Sequence, residues 1–241
     1  MKNIMIILIM TLFLAVYVEG SLYDTRYKNN HGKQPEEMER IWIKENDKFV
    51  AFIILEKSDN AYLVIREHTT GPSAFSYIDS KNSYYGSSAL DDFLNLEYAG
   101  RFSSEISSFI LESEIQITAE SSIGCCGGMT EYIHRKFYVP SWTEMTGRHN
   151  NSCLQEGRLI SAGFSKAYIK ATNDEGAPSV WWLRTPSTWH FNRVLGINEE
   201  GGVSTGTTLD SLGVYTADVR PVFRISTQIS VVGSNNEWFV E

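Results

Sequence analysis

Three cysteines and five histidines carry most of the chain's capacity for covalent or metal chemistry. A thiolate beside an imidazole is a nucleophile, so Cys125, Cys126 or Cys153 with His134 or His149 could form a Cys/His pair. In an oxidising compartment the same thiols pair with each other instead. Joining Cys153 to Cys125 or Cys126 closes a loop of about thirty residues, worth roughly 3 kcal/mol in the chain-entropy account. A vicinal Cys125–Cys126 bond is the strained alternative, and an odd number of cysteines leaves one thiol over. Metal chemistry has less to stand on. Adjacent cysteines are not the C-x-x-C spacing that wraps zinc, and His31, His68, His134, His149 and His190 are scattered. The H-E-x-x-H, G-x-S-x-G and P-loop patterns are absent. Asn173-Asp174-Glu175-Gly176 and Asn198-Glu199-Glu200-Gly201 hold enough oxygen for calcium, but both read as ordinary turns. No catalytic residue, metal site or cofactor is therefore assigned.

Binding chemistry is carried by aromatics and arginines. Trp181, Trp182 and Trp189 with His190 could form a platform on which a sugar stacks. Trp181 and Trp182 are consecutive in a strand-like run, so they point to opposite faces and at least one belongs to the core. Trp189 and His190 fall in a loop and are the better ligand-binding candidates. Arg184 and Arg220 sit inside apolar strand sequence. Each could receive an anion, but a guanidinium in such a setting is better read as a structural tie to carbonyls or a carboxylate. Pro186 and Pro221 stop strand pairing after them and suit the same scaffold role.

The elements that must position these residues follow from patterning. Residues 1–20 read as a cleaved secretory signal peptide: Lys2, an apolar run from Ile4 to Val16, and a Val18-Glu19-Gly20 exit. Residues 21–40 form a polar lead-in, and 41–241 a single domain. Phe49 to Leu55 is continuously apolar, as in a strand buried on both faces, and Lys57-Ser58-Asp59-Asn60 turns it back into Ala61 to Arg66. Helices are expected after Ser88 and Ser141, each followed three residues later by an acid in a capping box, and after Ser103 or Ser104. Ile115 to Ala119, Val180 to Arg184, Arg193 to Ile197, Val203 to Thr205 and Val219 to Ile225 read as strands, with Asn198 to Gly202 as a hairpin turn. Short central helices between strands and hairpins at both ends define an α+β class. The content is 42% hydrophobic and 21% charged, which excludes disordered and low-complexity classes. A net charge of −8 argues against nucleic acid as a partner, and no segment after the leader is long enough to span a membrane.

Several of these residues also carry a resemblance. Trp181-Trp182-Leu183-Arg184-Thr185-Pro186, then Gly201, then Val219-Arg220-Pro221-Val222 resembles the W-L-R-[ST]-P … V-R-P signature of a secreted bacterial group, domain-of-unknown-function family 6273. Tyr84-Tyr85, Phe93-Leu94-Asn95 and Arg101-Phe102-Ser103 are similar to its helical section, and Phe137 to Glu144 resembles its F-x-x-P-S-x-x-E segment. The resemblance runs from Ile41 to Ile225. By its strand–hairpin–strand order the family is in turn similar to C-type-lectin-like folds, including formylglycine-generating-enzyme-like domains. It implies a lectin-like layout and an extracellular address, with no assigned chemistry. The calcium-binding E-P-N and W-N-D signatures of such lectins are missing. The expected function is a secreted, non-enzymatic module that binds an extracellular protein or glycan. The alternatives are a cysteine-dependent extracellular enzyme and a structural accessory domain.

Overall fold

Lys48–Lys57 carries the apolar run, and such a strand needs cover on both faces and a neighbour on each side. In the computed structural model, which describes residues 39–77, 83–125, 127–160, 169–204 and 216–241, it has both neighbours and is buried over residues 51–55, while Phe49 at its start is exposed. In the large sheet, β1 (Arg40–Glu45), β2 (Lys48–Lys57) and β3 (Ala61–Arg66) run antiparallel in sequence order. β3 pairs with β15 (Val222–Ser226), which in turn pairs with β5 (Ile110–Leu111) and β8 (Phe137–Tyr138). At the other edge β16 (Val231–Ser234) and β17 (Glu237–Val240) form a hairpin, and β17 lies parallel to β1. A second sheet has the order β13 (Val203–Ser204), β12 (Val194–Ile197), β11 (Trp181–Pro186), β14 (Thr216–Asp218), β4 (Pro72–Ala74). Two ribbons complete the strands: β6 (Ser113–Thr118) with β7 (Thr130–Arg135), and β9 (Ala171–Thr172) with β10 (Pro178–Ser179).

The helices are short and begin where hydroxyls cap them. Ser88 Oγ accepts from the Asp91 amide at the start of α1 (Ala89–Asp92), and Ser103 Oγ from the Ile106 amide at the start of α2 (Ser104–Phe109). At α3 (Trp142–Thr146) the reciprocal box is complete: the Glu144 amide donates to Ser141 Oγ and the Ser141 amide to Glu144 Oε2, both at 3.0 Å. The box at Ser88 is only half formed. The Asp91 carboxylate turns instead to Arg135, which donates to it from Nε and Nη2 at 2.7–2.9 Å. The domain is thus α+β, with strands dominant. β7 and β17 are among the strands that patterning did not single out.

Phe52, Tyr98, Phe102, Phe137 and Phe223 form a continuous aromatic cluster against the large sheet, with ring centroids 5.1–6.5 Å apart. A polar knot ties the remaining layers together. Arg184 on β11 has no exposed surface. Its guanidinium donates to Glu144 Oε2 and Oε1 at 2.6 and 2.7 Å, to the Val139 carbonyl at 2.9 Å and to the Gln116 carbonyl at 3.2 Å. One side chain therefore joins β11 to β6, to the segment leaving β8, and to α3. Burial alone would push the Arg184 guanidinium down, but Glu144, with Glu156 and Tyr138 behind it, holds it above the ordinary value. Glu156 is fully buried beside this pair. It accepts from the Thr118 amide, from Thr118 Oγ1 and from Thr185 Oγ1 at 2.6–2.8 Å, and burial pushes its carboxyl up.

Gly157 completes the knot. Its φ is +82°, and a Cβ there would lie 2.9 Å from Glu144 Oε1. Gly176 has nearly the same φ, +83°, with open space around it. Gly176→Ala measures left-handed strain alone, about 1–2 kcal/mol. Gly157→Ala adds pressure on the carboxylate that holds Arg184, so urea denaturation should show it losing clearly more stability than Gly176→Ala. Equal losses would mean that the Glu144 position is not under constraint.

Candidate functional site

The structure separates the sequence-selected residues into two groups. Trp181 and Trp182 are both fully buried. Their indole N–H groups donate to the Ile169 and Ser73 carbonyls at 3.1 and 2.9 Å. Trp181 is therefore corrected from ligand-binding candidate to core residue. β11 sits inside its sheet with cover on both faces, so alternation changes which layer each indole enters and leaves neither in solvent. The Arg220 guanidinium lies over the Trp181 ring at 5.3 Å and donates from Nε to the Arg66 carbonyl at 2.8 Å. Burial pushes it down to about 10, with Glu67 opposing the shift, so it is still a cation at neutral pH. Arg66 is equally enclosed. It bonds Glu45, Asp174 and the His68 and Thr69 carbonyls. Arg184, Arg220, Pro186 and Pro221 are all buried and sit in scaffold positions.

Trp189 and His190 are exposed, and they mark a surface built from three loops. After β11 ends at Pro186, the chain closes a compact loop in which the Ser187 amide donates to the Arg193 carbonyl at 2.8 Å. Thr188 anchors that loop to the next one: its amide donates to the Ser152 carbonyl at 2.8 Å and its hydroxyl to the Asn151 carbonyl at 2.9 Å. The Trp189 indole N–H reaches the same Asn151 carbonyl at 3.2 Å, which fixes the ring while leaving 56% of the residue exposed. The Asn150–Cys153 segment is itself a rigid turn, because Asn150 Oδ1 accepts from Ser152 N, Ser152 Oγ and Cys153 N at 2.7–2.9 Å. The third loop approaches through Gly124. A Cβ at Gly124 would lie 3.2 Å from Phe191 Cβ, and Phe191 is also 56% exposed.

Between these loops lies an open groove of about 550 Å³, lined by Gly127, Gly128, His149, Asn150, Asn151, Leu154 and Gln155. Its lining is amide, imidazole, leucine and backbone, and the Trp189 ring is tied to it through the Asn151 carbonyl. None of the residues lining it is an Asp, Glu, Lys or Arg. Sequence reading found Trp189 and His190 because they lie in a loop. It missed Asn151, Gln155 and Phe191, whose role depends on loops distant in sequence. Among the described residues no cluster of His, Cys, Asp and Glu could hold a metal ion, and no helix is long and apolar enough to cross a membrane.

No disulfide is present among the described residues. Cys125 is exposed and Cys153 buried, and both thiols are free; Cys126 lies outside the described residues. Burial pushes the Cys153 thiol up to about 11, against a hydrogen bond from Ser152. A thiol so placed is almost wholly protonated at neutral pH and behaves as a small apolar filler.

The geometry defines an α+β domain whose signature residues build the scaffold and whose connecting loops carry the open surface. The match to known families agrees: residues 59–227, more than half of the chain, match the family described as "Domain of unknown function (DUF6273)", and the chain belongs to that family. No curated protein and no solved structure matches the chain.

The thiol arrangement has a direct readout. In native protein at neutral pH, iodoacetamide followed by peptide mass spectrometry should label Cys125 and leave Cys153 unmodified, and denaturation should open Cys153 to the reagent. Rapid native labelling of Cys153, or its recovery in a disulfide, would contradict the buried free thiol.

Proposed function

We propose that this chain is a secreted, non-enzymatic module that binds a glycan in the groove beside Trp189. The observation that carries the reading is the Trp189 indole, held by the Asn151 carbonyl yet more than half exposed. A flat ring fixed in advance loses little freedom when a sugar face stacks on it. The neighbouring Asn151 and Gln155 amides and the His149 imidazole supply donors and acceptors suited to hydroxyl groups. His190 and Phe191 extend the same surface.

The address and the finer fold belong to the same reading. Lys2, the apolar run to Val16 and the Gly20 exit support export with cleavage after Gly20, although residues 1–38 lie outside those described. The strand–hairpin–strand order from β11 through β12 and β13 to β15 supports a C-type-lectin-like layout. The cysteine-dependent enzyme reading is weakened by Cys153, a buried thiol pushed up to about 11 where a nucleophile needs a lowered one. An accessory role without a ligand would leave the preset aromatic surface unused.

Screening the purified domain on a glycan array, followed by titration of the best hit, tests the proposal. Trp189→Ala should weaken that glycan by tenfold or more, consistent with the loss of about 1.4 kcal/mol or more at a buried stacking contact. Its melting temperature should stay close to that of the parent, because the ring is half outside the fold. Absence of any glycan hit, or undiminished binding by Trp189→Ala, would overturn it.

A further inference from the structure

A second cleft, away from the Trp189 groove, contains an arginine with unused bonding capacity. Arg224 lies on β15, opposite Leu63 of β3 and Leu111 of β5. It is half-buried, and among the described residues its side chain has no hydrogen bond or ion pair. The carboxylate placed to neutralise it is engaged elsewhere. A bulge between Ile54 and Glu56 sets Glu56 opposite Leu63, on the same cross-strand row as Arg224. Glu56 is nevertheless held by Arg158, which donates to Oε1 at 2.9 Å and to Oε2 at 2.8 Å. The next carboxylate on the cleft, Glu144, is bound to Arg184. Arg224 thus faces a cleft of about 380 Å³ with its fork of donors open.

The rest of the lining suits a particular class of ligand. Leu63, Ile115 and Tyr138 give the cleft apolar walls. Ser113 lines it too, and its hydroxyl is buried with no hydrogen-bond partner among the described residues. Arg158 lines the cleft as well and is paired to Glu56, as Arg184 is to Glu144, which leaves Glu114 as the lining carboxylate without an arginine partner among the described residues. A single carboxylate matches the one open guanidinium fork, whereas a phosphate dianion brings a second negative charge that Glu114 opposes. We propose that this cleft binds a small organic monocarboxylate, its charge on Arg224 and its hydrocarbon part against Leu63, Ile115 and Tyr138. The proposal stands on residues distinct from those of the glycan groove and does not depend on it.

Benzoate is the probe, titrated into the full-length chain and followed by amide chemical shifts. Saturable shifts should appear around Leu63, Ile115 and Tyr138. Benzamide, the uncharged isostere, should bind about tenfold more weakly or worse, and phosphate at matched ionic strength should bind more weakly than benzoate. Arg224→Gln should weaken benzoate by about tenfold or more, and Arg224→Lys, which keeps the charge and loses the fork, should fall between. If Arg224→Gln does not fold, the Lys variant and the benzamide comparison carry the result. No saturable benzoate binding, equal affinity for benzamide, tighter binding of phosphate, or affinity unchanged in the variant that folds would each overturn the proposal.

Discussion

The structure depends on a guanidinium that cannot reach water. Arg184 is enclosed, so every one of its bonds must come from protein, and a buried cation left short of partners costs several kcal/mol. Its partners come from β6, from the segment after β8, and from the first turn of α3. Each must arrive in register for the charge to be satisfied, so the bridge sets the relative position of elements that share no backbone ladder. Glu144 performs two tasks, closing the capping box with Ser141 and receiving the fork of Arg184. Helix start and inter-element tie are thereby one event. Ser141 continues the chain of contacts by donating to the Glu156 carbonyl at 2.6 Å.

Seen this way, the signature residues of the family explain one another. The P-S-x-x-E segment supplies the carboxylate, W-L-R-T-P supplies the guanidinium, and the arginine of V-R-P covers the first tryptophan of W-W-L-R. None of them lines the groove beside Trp189. The matched stretch is also closed on itself, since the Thr227 amide donates to the Asn60 carbonyl at 3.1 Å. The division of labour is physical: buried charge fixes the frame, and the loop that leaves Pro186 is free to carry exposed rings because its anchor is already rigid.

Legibility from sequence followed the range of the interaction. The caps at Ser88, Ser103 and Ser141 were readable because donor and acceptor are three residues apart. The burial of Arg184 and Arg220 was readable from their apolar neighbours. Their partners were not: Glu144, Val139 and Gln116 for Arg184 and the Arg66 carbonyl for Arg220 lie at long separations that no local pattern records, as do Asp91 with Arg135 and Glu45 with Arg66. Trp181 was misjudged because alternation predicts which face a side chain takes, while its exposure depends on what covers that face. The placement of the cysteines was not legible for a similar reason. A chain-length argument for pairing ignores where each sulfur lies, and Cys153 lies in the core. The groove was half legible, through Trp189 and His190 alone.

The parallel pairing of β17 with β1 has a mechanical consequence. Arg40 stands opposite Glu237 and Trp42 opposite Phe239, so the strand that opens the described domain and the one that closes it lie side by side and point the same way. Tension drawn between the two ends of such a pair acts along the strands. It loads the connecting hydrogen bonds together in shear, where an antiparallel terminal pair would open them one at a time like a zip. The pair is reinforced by the stacked rings of Trp42 and Phe239, 5.7 Å apart. A domain tethered at both ends would therefore resist pulling along this axis far better than its modest number of terminal contacts suggests.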